Sequence, residues 1–385
     1  MGIGSRGAIL RASKDGKLLW EVKSEQADFK IDPKGDSAEM KGVEATLYEQ
    51  GVPSMKLTAP FGNANEATGR LSLRGGVKAA STDGHTLLTC DRIAWAREDR
   101  VLVANGHVSG VTSGISIGPA ETVRARFESK GKEMNTTTAS LVLVSLLAQG
   151  QSIHYRDRAG NMDVTAKKFE IKRDEKASVY RFIGTGPFVA KWLKQGLETR
   201  GDKMEGTLQP VGDSYELQAG SFSGNVEAHL KADTGNFDLT GISVWTIERS
   251  QDGKLWNFTG DGAPFVGKLR NDEIVITGHH VTGTATRLTG GGINTEWRTA
   301  VFSGGVKAVI KQLDKKTGKS YTITASAPTV TLNREAATAV MSGGVTASGD
   351  HPALGPGGGE ITAGKVTLEF DKEMRTVKNL TMESD

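Results

Sequence analysis

Cysteine occurs once in this chain of 385 residues, as Cys90, which excludes an internal disulfide framework and any Cys-x-x-Cys redox or zinc motif. Proline is scarce at 10 residues, while glycine reaches 49 without a collagen period, a balance that suits an all-β chain with many turns. Aromatic residues make up 6% and the hydrophobic set 37%, too lean for a thick globular core. Neither sign of charge prevails: 48 Lys plus Arg against 45 Asp plus Glu leave +3, so no nucleic-acid partner is expected.

Long apolar runs are missing too. The longest, ASLVLVSLLA from Ala139 to Ala148, is about half of the ~20 residues that a membrane helix requires, and it reads as a buried strand. The opening MGIGSRGAILRAS lacks the basic-then-apolar plan of a signal peptide. Either the protein is cytosolic or a signal or anchor precedes this sequence. Arg6 stands where an N-myristoylation signal wants Ser or Thr, which removes that option.

Reactive constellations are equally thin. There is no G-x-S-x-G, H-E-x-x-H or P-loop, and GPGGGE (Gly355 to Glu360) lacks the Lys-Ser/Thr that would make it a phosphate cradle. The seven histidines stand at 85, 107, 154, 229, 279, 280 and 351. Only His279 and His280 adjoin, and neighbours on a strand point to opposite faces. Cys90 reads as a small buried hydrophobe. No catalysis, metal or cofactor is expected.

What the sequence has is alternation. Leu18, Trp20 and Val22 alternate with Lys17, Glu21 and Lys23; Val43 and Leu47, Met55 and Leu57, Leu71 and Leu73 continue the pattern. Ile274 and Ile276, Val306 and Ile310, Ile323, then Val366, Leu368 and Phe370 extend it through the second half. Period two with one apolar and one polar side predicts antiparallel strands, buried on one face and wet on the other. Outward lysines such as Lys23, Lys307 and Lys311 suit solubility and edge protection. Only PFVAKWLKQGLETR (Pro187 to Arg200) is ambiguous between strand and short helix.

A second feature is repetition. RGGVKA, NGHVSG, SGNVEAH, TGHHVTG, SGGVKAV and SGGVTAS place a glycine shortly before Val77, Val108, Val226, Val281, Val306 and Val345. The spacing is irregular, which excludes a fixed-period solenoid. We read these as hairpin turns in which Gly76, Gly106, Gly224, Gly278, Gly305 and Gly344 supply a positive φ for a tight reversal. A longer echo relates GVEATLYEQGVPSMKLTAPFG (from Gly42) to GISVWTIERSQDGKLWNFTGDGAPF (from Gly241), a sign of internal duplication. The expected division is 1–175 and 206–385, with 176–205 an uncertain connection.

The stretches GKLLWEVKSEQADF, GVEATLYEQGVPSMKLTAPFG and LSLRGGVKAASTDGHTLLTCDRIAWAREDRVLVANGHVSG resemble the LptC family of lipopolysaccharide export over roughly residues 8 to 110. Leu71, Leu73, Gly76, Val77, Gly84, Leu87, Thr89, Asp91, Ile93, Trp95, Val101, Gly106 and Val108 fill that family's pattern. From about residue 206 the Gly-Val units are similar to LptA/OstA-like repeats. The chain departs in lacking an N-terminal anchor helix and in being about twice the usual LptC length. The resemblance implies a U-folded antiparallel β-jellyroll (a "β-taco"), elongated and in tandem. It implies a periplasmic protein, inner-membrane-anchored if an N-terminal segment was trimmed, that bridges toward the outer membrane. The apolar residues named in the alternation above, from Leu18 to Phe370, would then line a groove for the acyl chains of lipopolysaccharide or a similar glycolipid. Sheet edges would accept other β-jellyroll transport proteins by strand addition, or further copies end to end. Two other readings stay open. The same residues fill a closed sandwich core equally well, and an adhesive or structural envelope β-sandwich could display Trp20, Trp95, Trp245, Trp256 and Trp297.

Overall fold

The computed structural model describes residues 2–14, 16–30, 36–49, 51–65, 67–96, 101–112, 115–129, 141–157, 162–193, 196–211, 214–231, 236–269, 273–287, 295–313, 318–372, 374 and 376–384. Among them the fold is all-β and antiparallel, with one short 3-10 turn at Pro352–Leu354. The strands are β1 (Gly2–Lys14), β2 (Lys17–Lys30), β3 (Ser37–Glu49), β4 (Val52–Asn65), β5 (Arg70–Ser81), β6 (Leu87–Ala96) and β7 (Val101–Thr112). They continue with β8 (Ile115–Ser129), β9 (Leu141–Asp157), β10 (Met162–Asp174), β11 (Val179–Trp192), β12 (Leu197–Val211), β13 (Ser214–Leu230) and β14 (Phe237–Arg249). The last seven are β15 (Leu255–Leu269), β16 (Ile274–Arg287), β17 (Thr295–Leu313), β18 (Ser320–Asn333), β19 (Thr338–Gly349), β20 (Gly359–Phe370) and β21 (Val377–Glu383).

Residues 1–186 and 208–216 form one compact unit, and residues 187–207 and 217–385 a second. The stretch 176–205, set aside above as a connection, carries the whole of β11 and the larger part of β12. Pro187 to Arg200 is therefore largely strand. The apolar run predicted as a strand is β9 from Leu141 onward; Ala139 and Ser140 lie outside the described residues. In the first unit β1 to β10 pair in chain order, and in the second β13 to β21 do the same.

The Gly-Val repeats correct one expectation. They are not chain reversals but lie in the middle of strands. Gly75–Gly76, Gly106–His107, Gly224–Asn225, Gly304–Gly305 and Gly343–Gly344 are consecutive residues with φ between 48° and 96°. Each pair sits where the register slips against a neighbouring strand, so it is a bulge that bends the strand. Gly278 departs from the other five, for its φ is not positive. A Cβ there would lie 3.3 Å from the Ser303 carbonyl oxygen and 3.4 Å from the Phe265 ring, so what glycine supplies at this position is room and not a left-handed conformation.

The bulges align. In the first unit the line crosses the strands through Gly7, Glu25, Gly42, Pro60, Gly75–Gly76, Asp91 and Gly106–His107. In the second it passes Gly224–Asn225, Gly241, Pro264, Gly278–His279, Gly304–Gly305, Pro328 and Gly343–Gly344. Both halves of the Gly42/Gly241 echo therefore place a positive-φ glycine opposite Ala-Pro-Phe on the next strand, with a register slip at Gly241 and none at Gly42.

Along this crease each sheet folds over on itself. Phe258 lies 11 residues before Leu269, the register partner of Phe237, a span of about 36 Å on a straight strand. Yet the Phe237 and Phe258 ring centroids are 6.3 Å apart. In the first unit Tyr155 stands 7 residues beyond Ala148, the partner of Phe169, about 23 Å if flat. Their rings meet at 4.6 Å. Each unit is thus a jellyroll-like meander whose apolar face is covered by its own other half. A thin core of this kind accounts for the lean hydrophobic content.

Candidate functional site

The interior between the folded halves is where the sequence places its apolar residues. Trp20, Val22, Val43, Leu47, Met55, Leu57, Leu71, Leu73, Ile274, Ile276, Val306, Ile310, Ile323, Val366, Leu368 and Phe370 are all buried, at 0 to 7% exposure. Leu18 does not join them. A bulge pairs Ala12 with Trp20 and Ser13 with Leu18, so Leu19 takes the inward place and Leu18 is half-buried.

The interior is closely packed, but in the second unit it is not full. A cavity of about 50 Å³ lies between the halves, lined on β14 by Phe237 and Leu239 before the crease and by Trp245 and Ile247 after it. Trp192 and Trp256 complete its aromatic wall, and no charged side chain borders it. Leu197, Leu230 and Trp256 are half-buried and mark its approach from solvent. A smaller space of about 20 Å³ lies between Ile276 and Ile310 on one half and Leu332 and Met341 on the other. For scale, a dry apolar cavity of about 150 Å³ holds benzene. The larger space is therefore a slot and not an open channel.

Several buried polar atoms have no hydrogen-bond partner. Among them are Nε1 of Trp192 and of Trp245, and Oγ1 of Thr199. Sequence reasoning left Trp192 aside because it fell in the ambiguous segment, and it assigned Trp245 to a possible binding surface. In fact Trp20, Trp192, Trp245 and Trp297 are buried at 1, 2, 4 and 8% exposure. Trp95 and Trp256 are half-buried. None of the six tryptophans is an exposed platform.

On the wet face, histidines pair with aspartates across strands. Nδ1 of His107 lies 2.9 Å from Asp91, that of His229 2.8 Å from Asp238, and that of His280 2.6 Å from Asp261. His279 turns to the Gly304 carbonyl on the other neighbouring strand, so the adjacent imidazoles part company. Among the described residues no three His, Cys, Asp or Glu side chains gather as metal ligands. Cys90 is buried at 5% exposure. Burial, and then the Asp91 carboxylate, push its thiol up to about 11, which makes it a poor nucleophile. A solvent-open hollow of about 450 Å³ beside the first unit's crease is walled by Lys23, Glu25, Glu44 and Lys78, whose charges cancel.

No protein-family model matches the sequence, and no curated protein matches it. The fold defines an all-β, jellyroll-like class, and the interior slot is the part of it able to hold a small apolar group.

Proposed function

We propose that the protein is a non-catalytic lipid-transport scaffold of the cell envelope. It holds acyl chains of lipopolysaccharide or a related glycolipid between the folded halves of its sheets and bridges toward the outer membrane. One observation supports this above the others: each unit covers an apolar face with its own other half, and in the second unit that interior retains an uncharged slot. Burying methylenes contributes about 0.8 kcal/mol each, so a chain is held without specific polar contacts. Because the slot is small, a long chain enters only as the two halves part along the crease. The resemblance to LptC and LptA/OstA-like proteins points the same way and suggests a periplasmic location. The edges suit strand addition to similar jellyrolls, since among the described residues β1 pairs with β2 alone and β21 with β20 alone.

A second reading draws on the tight interior. Inward residues at 0 to 7% exposure also suit a closed structural scaffold of the envelope. Native mass spectrometry of the full chain with lipid A or lipopolysaccharide separates the two. Adducts that compete with one another are expected for the transport scaffold. A clean apo mass at every lipid concentration gives the molecule to the closed scaffold.

A further inference from the structure

We infer that the first unit docks on a negatively charged lipid surface through the wet face beside its crease, with Lys41, Arg74 and Arg92 as the cations and Phe61 as the apolar anchor. The net charge of +3 hides this arrangement. Register partners point to the same face of a sheet, so pairing sets the residues of successive strands in rows. The row of Arg74 runs along the crease from β1 to β10 and carries Arg6, Lys41, Arg74, Arg92 and Lys168. Phe61 stands between Lys41 and Arg74, and no carboxylate occurs anywhere in the row. The fold itself does not ask for such a row. In the second unit Ser303 precedes Gly304–Gly305 as Arg74 precedes Gly75–Gly76, yet the row of Ser303 holds one Lys or Arg, Lys365, which Glu383 neutralises at 2.7 Å.

Arg74 and Arg92 are direct partners on β5 and β6, and like charges set opposite each other cost stability unless an anion joins them. The acids nearby are engaged elsewhere, Glu39 by Lys30 at 2.6 Å and Asp91 by His107 at 2.9 Å. Among the described residues Lys41, Arg74 and Arg92 have no ion-pair partner. Phe61 is 43% exposed, with its ring centroid 5.7 Å from the Arg74 guanidinium. An exposed ring among cations suits the boundary of a bilayer, where the ring enters the acyl edge and the cations stay among the phosphates. A second row, four residues or about 13 Å further along the strands, adds Lys30, Arg70, Arg126 and Lys172. The cations therefore spread over an area, which fits a surface better than a thread-like acidic polymer that would follow one line. This contact lies on the outer face and does not depend on whether the interior takes acyl chains.

The experiment measures co-sedimentation of the full chain with vesicles of phosphatidylglycerol and phosphatidylcholine, and separately with vesicles of phosphatidylcholine alone. Binding is expected to the anionic vesicles only, and to fall as salt is raised. The triple variant Lys41→Gln, Arg74→Gln, Arg92→Gln should bind about 100-fold more weakly, about fivefold for each cation. A control triple, Lys23→Gln, Lys56→Gln, Lys78→Gln, removes the same charge from exposed lysines across the crease and should keep most of the binding. Should the first triple fail to fold, Arg92→Gln alone, expected to be about fivefold weaker, answers the same question. Equal binding to both kinds of vesicle, no binding to either, or equal losses in the two triples overturns the proposal. Tight binding of dextran sulfate without binding to anionic vesicles also overturns it and gives the face to an acidic polymer.

Discussion

Glycine does its decisive work at single positions. Gly106 has φ of 75°, and a methyl group there would overlap the Asp91 side chain laid over it. Gly106→Ala is expected to lower stability by about 1–3 kcal/mol, through backbone strain and overlap together. Adding Asp91→Gly, which removes every atom that the new methyl meets, should restore the overlap part and not the backbone strain, which urea unfolding of Gly106→Ala, Asp91→Gly and the double variant would measure. His351 carries the clearest pH signature. It is buried against Tyr321, with ring centroids 5.4 Å apart, and burial lowers its pKa, opposed by Asp350. Folding thus favours the neutral imidazole. Its contribution is present above the unfolded value of about 6.5 and is lost as pH falls through that value toward the folded pKa. The thermal midpoint should drop between pH 7 and 5, and His351→Gln should flatten that drop; an unchanged slope would remove His351 from the account.

At the scale of the strand, the crease explains what the sequence disclosed and what it hid. Alternation on either side of the crease is plain in Trp20 and Val22 or Ile274 and Ile276, so the all-β class and most inward residues were legible. The bulge positions were visible as repeats, but a glycine at positive φ looks the same in a chain reversal as in mid-strand. What separates them is parity. Strands with a left-handed pair carry inward residues four apart, as in Leu73 to Val77, Phe222 to Val226 and Met341 to Val345. Their neighbours step by three, as in Met40 to Val43 or Ala327 to Val330. A one-residue step in phase also misplaced Leu18. The slot was not legible at all, because Phe237 and Trp245 become neighbours across it only once the strand has folded. Parity makes a prediction. One alanine inserted between Gly305 and Val306 should turn Val306, Ala308 and Ile310 to the wet face and unfold the second unit. Two inserted residues should keep the inward set and cost far less, as circular dichroism melts of both would show.

For the whole molecule, the end strands matter most. Met382 on β21 pairs with inward Val366 yet is 51% exposed, and Ile9 on β1 is 56% exposed. Apolar side chains on strands paired from one side only are where another sheet would add. Ile9→Lys with Met382→Lys is therefore expected to reduce concentration-dependent assembly in sedimentation velocity without lowering the melting temperature. Assembly unaffected by the double substitution would place the contact elsewhere.

The crease has a last consequence, for how such a chain can change its length. Each hairpin brings its own bend, its own buried valine or partner and its own share of the interior, so a hairpin is a complete module. Gaining or losing one would alter the reach of a sheet by about 10 Å, two strand spacings, while every other residue kept its neighbours. Reach is then a matter of counting modules, and it can drift in evolution while the interior chemistry stays fixed.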